Sequence, residues 1–274
     1  MLKTPLVIVA LFLIAHVAEG APLQSDKHLE IRSYPQEMSK AYTTVDGLPS
    51  DDVRAMAITT DGTVYAGTAK GLSQWDGTAW QTVPNSPEPI HALLATDGDL
   101  YIAASTRVYR LTGGSLDLLT DALPASANSL HFDTVNTAHQ PAQSLLVATN
   151  KGLFYLSDGA MHRINVFDEH RNPVDEIRDV TVNASGHTIV STPFGAYILK
   201  ERGLFYKGGA QGLAKARKGI AWQRVLPTHE TESWGMVDAR SVLLDNAGHL
   251  LLTAPQGVAQ QGADGDWRLS AGHD

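Results

Sequence analysis

Three acid–x–Arg units could bind or pair charge: Asp52-Val53-Arg54, Glu176-Ile177-Arg178 and Asp238-Ala239-Arg240. Each stands at the start of a short apolar run. On an extended chain, residues two apart share a face, so each acid can reach its own arginine. Arginine presents a planar fork of donors that suits a carboxylate or sulfate. The same pairing can also lock one stretch of backbone against another. Two further units carry histidine in that frame, Pro89-Ile90-His91 and Ser129-Leu130-His131. The position after the first apolar residue therefore reads Arg54, His91, His131, Arg178 and Arg240.

Other chemistry is thinly represented. The eleven histidines are scattered, and the sequence holds no His-Glu-x-x-His, no Gly-x-Ser-x-Gly and no phosphate-binding glycine loop. His187 and His249 each follow a turn glycine, but a metal needs three or four converging ligands, so they read as turn residues and no cofactor is expected. Asp51-Asp52 could act as acid or base only with a second carboxylate about 5–9 Å away, which no spacing identifies. The absence of cysteine excludes a disulfide framework, a thiolate metal site and a cysteine nucleophile. A net charge of −8 argues against a nucleic-acid binder that works by neutralising phosphates. Against that acidic background, Lys207, Lys215, Arg217, Lys218 and Arg224 form a locally basic stretch that reads as a solvated surface loop. Asn183-Ala184-Ser185 matches a glycosylation sequon and reads as a turn.

The elements that must position these residues repeat along the chain. Val53 to Leu72 aligns without a gap on Ala239 to Val258, and Ile177 to Gly195 fits the same frame. Residues 90–108 fit with one deletion. Residues 130–153 fit in their second half, after an insertion around His139-Gln140-Pro141. In each unit an apolar run ends at a turn: Asp61-Gly62, Asp97-Gly98, Ser185-Gly186 or Ala247-Gly248. Such pairs between apolar runs favour tight hairpins. A second run leads to another turn, at Gly71, Arg107, Gly152, Gly195 or Gly257, and a third strand follows. A fourth strand is often marked by tryptophan, as at Trp80, Trp222 and Trp267, which reads as packing between sheets.

Four short strands per unit, with units roughly 40 residues apart, predict an all-β fold, a β-propeller of four-stranded blades. Five blades are visible, and closure of the ring is left open. Ser39 to Val45 is expected to supply a ring-closing outer strand, which would protect an exposed edge. In a propeller the inner strands line the central channel, so the five Arg and His positions are expected to ring one end of it. The loops on that face would carry Asp51, Asp52, Lys70, Arg107, Lys151, Phe194, Trp234, Asp238 and Gln256. Binding residues concentrate on such loops.

The first twenty residues read differently. Lys3 precedes an unbroken apolar run from Leu6 to Ala15, and Ala18-Glu19-Gly20 precedes a cut at Ala21. That is the pattern of a signal peptide; the run falls short of the ~20 residues a span requires. The expected organisation is a signal peptide over 1–20, an N-terminal segment over 21–46 and propeller repeats over 47–274. The mature protein would be periplasmic or secreted, with no membrane span after cleavage.

One unit is specific enough to name. Gly47-Leu48-Pro49-Ser50-Asp51-Asp52-Val53, then Asp61-Gly62, then Tyr65-Ala66-Gly67-Thr68 and Gly71-Leu72, resembles the two-component regulator propeller repeat. Partial copies lie at Ala148-Thr149 to Gly152-Leu153, Ser191-Thr192 to Gly195, and Thr253 to Gly257-Val258. The resemblance implies an exported sensor propeller that binds ligands, commonly glycans, and is often joined to a membrane histidine kinase. It also implies a signalling partner or a further C-terminal region, since another Gly-Leu-Pro would be expected near Ala271 to Asp274. The leading expectation is a non-catalytic module that binds a glycan or another small extracellular ligand. A propeller glycoside hydrolase or lyase, and a protein-interaction scaffold, are the alternatives.

Overall fold

The computed structural model describes residues 40–133, 144–157, 159–168, 172–183, 186–199, 222–225, 238–245, 247–262 and 266–270. The chain divides into Met1–Ala41 and a unit spanning Tyr42–Asp274. The second unit holds every strand among the described residues.

Each repeat folds into one four-stranded antiparallel sheet in strict chain order. Blade 1 comprises β1 (Val53–Ile58), β2 (Val64–Thr68), β3 (Gly71–Trp75) and β4 (Trp80–Thr82). Blade 2 comprises β5 (Ile90–Ala95), β6 (Asp99–Ala104), β7 (Arg107–Thr112) and β8 (Ser115–Thr120). Blade 3 comprises β9 (Ala127–Asp133), β10 (Ser144–Thr149), β11 (Gly152–Ser157) and β12 (Ala160–Ile164). A two-stranded hairpin, β13 (Val166–Phe167) with β14 (Pro173–Val174), links it to the next blade. Blade 4 comprises β15 (Asp179–Val182), β16 (Thr188–Thr192), β17 (Gly195–Leu199) and β18 (Trp222–Arg224). Blade 5 comprises β19 (Ser241–Leu244), β20 (Leu250–Ala254), β21 (Gly257–Gln261) and β22 (Trp267–Ser270). The five sheets form a five-blade β-propeller, as the repeats predict.

The core is a series of blade-to-blade layers. Alternation along each strand sends one set of side chains to the preceding blade and the other to the next. Leu146, Leu153 and Tyr155 of blade 3 meet Val180, Val190 and Tyr197 of blade 4. Ile189, Ala196 and Ile198 on the other side of blade 4 meet Val242, Leu252 and Ala259 of blade 5. Inner strands pack in the order β1, β5, β9, β15, β19, and no comparable packing joins β19 to β1 among the described residues. Where blades 1 and 2 meet, Gly67 is required by close approach. A Cβ there would lie 2.5 Å from Ile90 Cγ2. Trp222 is buried in the blade 3–blade 4 layer, whereas Trp80 is buried on blade 1 itself, against Ala66 and Leu48.

The turns use their own side chains. Asp61 Oδ1 accepts from Thr59 Oγ1 at 2.6 Å and from the Thr63 amide at 3.0 Å. Asp245 Oδ1 accepts from the amides of Ala247 and His249, at 2.9 and 2.8 Å. At the far end of the second strand, a buried threonine closes the next turn in three blades. Thr68, Thr149 and Thr192 each donate to the carbonyl of Gly71, Gly152 or Gly195 at 2.9 Å. Each hydroxyl also accepts from the amide of the residue two positions on: Lys70, Lys151 or Phe194.

One expectation fails at the N-terminal end. Residues 40–43 form no strand, and Thr44–Asp46 is a 3-10 turn capped by Thr43. Asp46 accepts from the Thr43 amide, and Gly47 follows with φ 101°, a conformation only glycine adopts without strain. The local capping box competes with an extended strand and wins. Tyr42 packs edge-on against Trp75, and Leu48 is buried beside Trp80. This segment therefore lies over a face of blade 1 and does not add a strand. The expected signal peptide over 1–20 lies outside the described residues.

Candidate functional site

The inner strands of blades 1 to 3 each carry a β-bulge at the same place. In blade 1, Val53 pairs with Thr68 and Ala55 with Gly67, leaving Arg54 as the extra residue. In blade 2, Ile90 pairs with Ala104 and Ala92 with Ala103, leaving His91. In blade 3, Ala127 pairs with Thr149 and Ser129 with Ala148, leaving Asn128. A bulge releases one residue from the ladder and re-aims its side chain. Arg178 and Arg240 hold the equivalent position in blades 4 and 5. Their amides bond to the carbonyls of Ser191 and Thr253, at 2.9 and 2.8 Å.

The register corrects one member of the expected ring. Asn128, not His131, occupies the bulge position of blade 3. His131 sits three residues further along β9, half-buried and paired with Leu146. The buried small residue that opens the strand, equivalent to Ile90, Ile177 and Ala239, is Ala127 and not Leu130. Alignment on the bulkier apolar residue displaced the frame by three. The five positions are thus Arg54, His91, Asn128, Arg178 and Arg240.

Their surroundings differ. Arg54 binds its own Asp52 through Nε and Nη2, at 3.0 and 2.7 Å, with both contacts on Asp52 Oδ2. That hydrogen bond holds the Asp52 carboxyl below the usual range and the Arg54 guanidinium above it. His91 is half-buried. Burial pushes its imidazole down, the adjacent Arg54 charge adds to this, and Asp52 opposes it. Asn128 donates to Asn150 Oδ1 at 2.7 Å and to the Ile177 carbonyl at 2.8 Å, tying blade 3 to blade 4. Arg178 lies between Glu176 at 3.1 Å and Asp238 at 2.5 Å. Burial works against its charge, but these two carboxylates outweigh it and hold the proton more tightly than usual. Asp238, at φ 63°, reaches Arg178 of blade 4 with Oδ1 and Arg240 of its own blade with Oδ2, the latter at 3.7 Å. The expected acid–Arg pairs all form, and Arg178–Asp238 runs between blades.

Backbone bonds bring the β2–β3 type of turn to the same end. The Ala69 amide bonds to the Asp52 carbonyl, Ser105 to Pro89, and Asp238 to Pro193. Lys70, Arg107, Lys151, Phe194 and Gln256 lie exposed on these turns. Arg107 bonds to the Tyr109 side chain, which raises its affinity for its proton. Asp51 is engaged structurally, accepting from the Thr44 amide at 2.7 Å. Trp234 and the basic stretch 201–218 lie outside the described residues. The threonine turn locks and the bulges are features that sequence reading missed; the Thr-x-x-Gly spacing was the available signal for the first.

Metal chemistry finds no site: among the described residues no group of three or more His, Asp or Glu could hold an ion. His249 Nδ1 lies 3.0 Å from Asp245 Oδ2 within its own turn. His187 is held through its amide by Asn183 Oδ1 at 2.9 Å. A groove of about 840 Å3 lies between blades 1 and 2 at the opposite end, lined in part by Asp61, Gln74, Gln81, Asn85 and Asp99. No bulge residue reaches it.

The fold has known counterparts. The extracellular domain assigned to a hybrid two-component system from B. thetaiotaomicron superposes with a TM-score of 0.59 at 15% identity, over 84% of this chain and 31% of that one. A second such domain from the same organism gives 0.55 at 18%, over 78% of this chain and 27% of that one. Virginiamycin B lyase from Staphylococcus aureus gives 0.54 at 14%, over 82% and 72%. These likenesses establish the β-propeller fold. The first two agree with the family resemblance of the Gly47 to Leu72 repeat, and the chain spans under a third of their length. No family model matches the sequence. No curated protein matches it either. Among the described residues, no helix is long and apolar enough to cross a membrane.

Proposed function

We propose that this chain is a sensor-type propeller that acts outside the cytoplasm and binds an acidic glycan at the bulge rim, without catalysis. The observation that supports this reading is the recurring β-bulge. It releases Arg54 and His91 side by side from neighbouring blades, at the end where Lys70, Arg107 and Lys151 are exposed. Arg178 is committed to Glu176 and Asp238 and serves the scaffold. Arg54 has one acid, and His91 gains a proton most readily when a second anion arrives. A uronate or sulfate group seated between them would satisfy both. Hydroxyls of the sugar would meet the amides and carboxylates of the surrounding turns. The similarity to extracellular domains of two-component systems favours a signalling context, and the apolar run over Leu6 to Ala15 favours export.

Equilibrium binding to a panel of neutral, uronate-containing and sulfated oligosaccharides tests this. Binding restricted to the acidic members, weakened about 10- to 100-fold by Arg54→Ala, is expected from the loss of one charged hydrogen-bond pair. A folded protein that binds none of them, or binds equally well after Arg54→Ala, overturns it.

A further inference from the structure

The groove between blades 1 and 2 is open because the chain on either side of it withdraws. Blade 1 stops short there: β4 spans three residues, whereas β8 of blade 2 spans six. Pro84, which has no amide hydrogen and cannot extend the ladder, follows directly on Val83. Asn85 then turns the chain aside at φ 56°. On the other lip, Gly98, Gly113 and Gly114 present no side chain, and a Cβ on any of them would meet nothing within 4 Å. The recess left between the lips has a volume of about 840 Å3, within the range of small-molecule sites.

Its lining divides by chemistry. Tyr65, Val83, Leu100 and Leu111 belong to the apolar layer between the two blades and form the floor. With them stand the carboxamides of Gln74 and Asn85 and the Tyr65 hydroxyl, none of which has a hydrogen-bond partner among the described residues. Gln81 gives its amide nitrogen to Asp76 at 3.1 Å and keeps its oxygen as an acceptor. An apolar floor with a few unused donors and acceptors suits a sugar ring and its hydroxyls. The charge in the lining has one sign: Asp61 and Asp99 contribute to it, and no lysine, arginine or histidine does. The bonds from Thr59 and Thr63 hold the Asp61 carboxyl below its usual range and so keep it ionised. Asp99 is fixed by the Thr112 hydroxyl. An anion is repelled from such a recess and a cation is drawn to it.

We propose that this groove is a second binding site, and that its ligand is an amine-bearing saccharide. The sugar ring rests on the apolar floor, its hydroxyls bond to Gln74, Asn85 and the Tyr65 hydroxyl, and its ammonium group lies with Asp61 and Asp99. The groove differs from the bulge rim in place and in sign: it lies at the opposite end of the blades and carries carboxylates where the rim carries arginine and histidine. A uronate or sulfate that suits the rim is excluded from the groove, so the two sites do not compete for one ligand.

Titration calorimetry of the full chain with a glucosamine trisaccharide and with its N-acetylated counterpart tests this, below neutral pH where the free amine is protonated. The two probes share a backbone and differ in charge. The amine form is expected to bind saturably, and more weakly as salt is raised, with the acetylated form about tenfold weaker or silent. Asp61→Asn and Asp99→Asn keep an oxygen acceptor for their turns and lose the charge. Each should weaken the amine form about three- to tenfold, the reach of a partly exposed charged hydrogen bond. Thr82→Arg, at an exposed lining position, fills the groove and repels the amine, and should abolish binding. Arg54→Ala, at the rim, should leave it unchanged, so a failure of the acidic-glycan reading and a failure of this one are read separately. A folded wild type that does not bind the amine form, or binds both forms equally, overturns the proposal. Binding that survives both asparagine variants, or that is lost with Arg54→Ala, overturns it as well, since the amine then sits elsewhere. Unchanged circular dichroism in the variants confirms that loss of binding is not loss of fold.

Discussion

Thr149→Val removes a hydroxyl and keeps the shape of the side chain. Thr149 is fully buried, donates to the Gly152 carbonyl at 2.9 Å and accepts from the Lys151 amide at 3.0 Å. Valine satisfies neither. The carbonyl lies in a buried turn and keeps its desolvation cost, and the amide lies beside an exposed residue and regains water. One buried acceptor left open costs about 1–3 kcal/mol, and one net hydrogen bond about 1 kcal/mol. The expected loss is therefore about 2–4 kcal/mol. In a unit of this size that lowers Tm by about 4–16 °C, at roughly 2–4 °C per kcal/mol. Thr149→Ser keeps both bonds and should lose less than half as much. Thr68→Val and Thr192→Val, in the same geometry, should match Thr149→Val. Urea unfolding followed by circular dichroism reads all four. A Thr149→Val protein within about 0.5 kcal/mol of wild type, the ordinary range of a neutral surface change, would refute the turn-lock argument.

Three other outcomes follow from the same geometry. Gly67→Ala places a methyl against buried Ile90 and partly buried Leu93 at the junction of blades 1 and 2, and should cost about 1–3 kcal/mol in the same assay. Gly47→Ala meets both a φ of 101° and a Cβ position 2.1 Å from the Trp80 carbonyl oxygen, so it should lift Tyr42 and Leu48 from Trp75 and Trp80; a red-shifted tryptophan emission without loss of β-sheet signal checks this. Burial and Arg54 depress the His91 pKa in the folded state, so the unfolded chain binds that proton more readily. The stability involved is therefore fully present above the ordinary histidine pKa of 6.5 and declines as pH falls below it, and His91→Asn should flatten that part of a stability–pH curve.

The blades were legible because their punctuation is local. Asp61-Gly62, Asp97-Gly98 and Ala247-Gly248 mark hairpins by their own chemistry, and the glycines after the second strands recur in step with them. The acid–Arg pairs were legible for the same reason, since two residues on one strand must be neighbours. The rim was only partly legible. A bulge leaves no residue signature, and its position depends on pairing with a strand some ten residues away. That is why Leu130 drew the frame of blade 3 to His131, when the small buried Ala127 sets it and Asn128 holds the rim. The segment before Gly47 carried an extended-looking Tyr42-Thr43-Thr44-Val45, but the reciprocal bonds of Thr43 and Asp46 fold it into a turn. The β13–β14 hairpin was missed because two-residue strands carry no periodicity.

The central claim, an acidic ligand seated between Arg54 and His91, is tested most directly by the His91 titration followed by NMR, with and without a uronate or sulfated oligosaccharide. Burial and the Arg54 charge depress the free imidazole, and an anion placed between the two groups offsets both effects. The account predicts that saturating ligand raises the His91 pKa and that affinity rises as pH falls through that range. A His91 titration left unmoved by a ligand that binds, with affinity indifferent to Arg54→Ala, would contradict it.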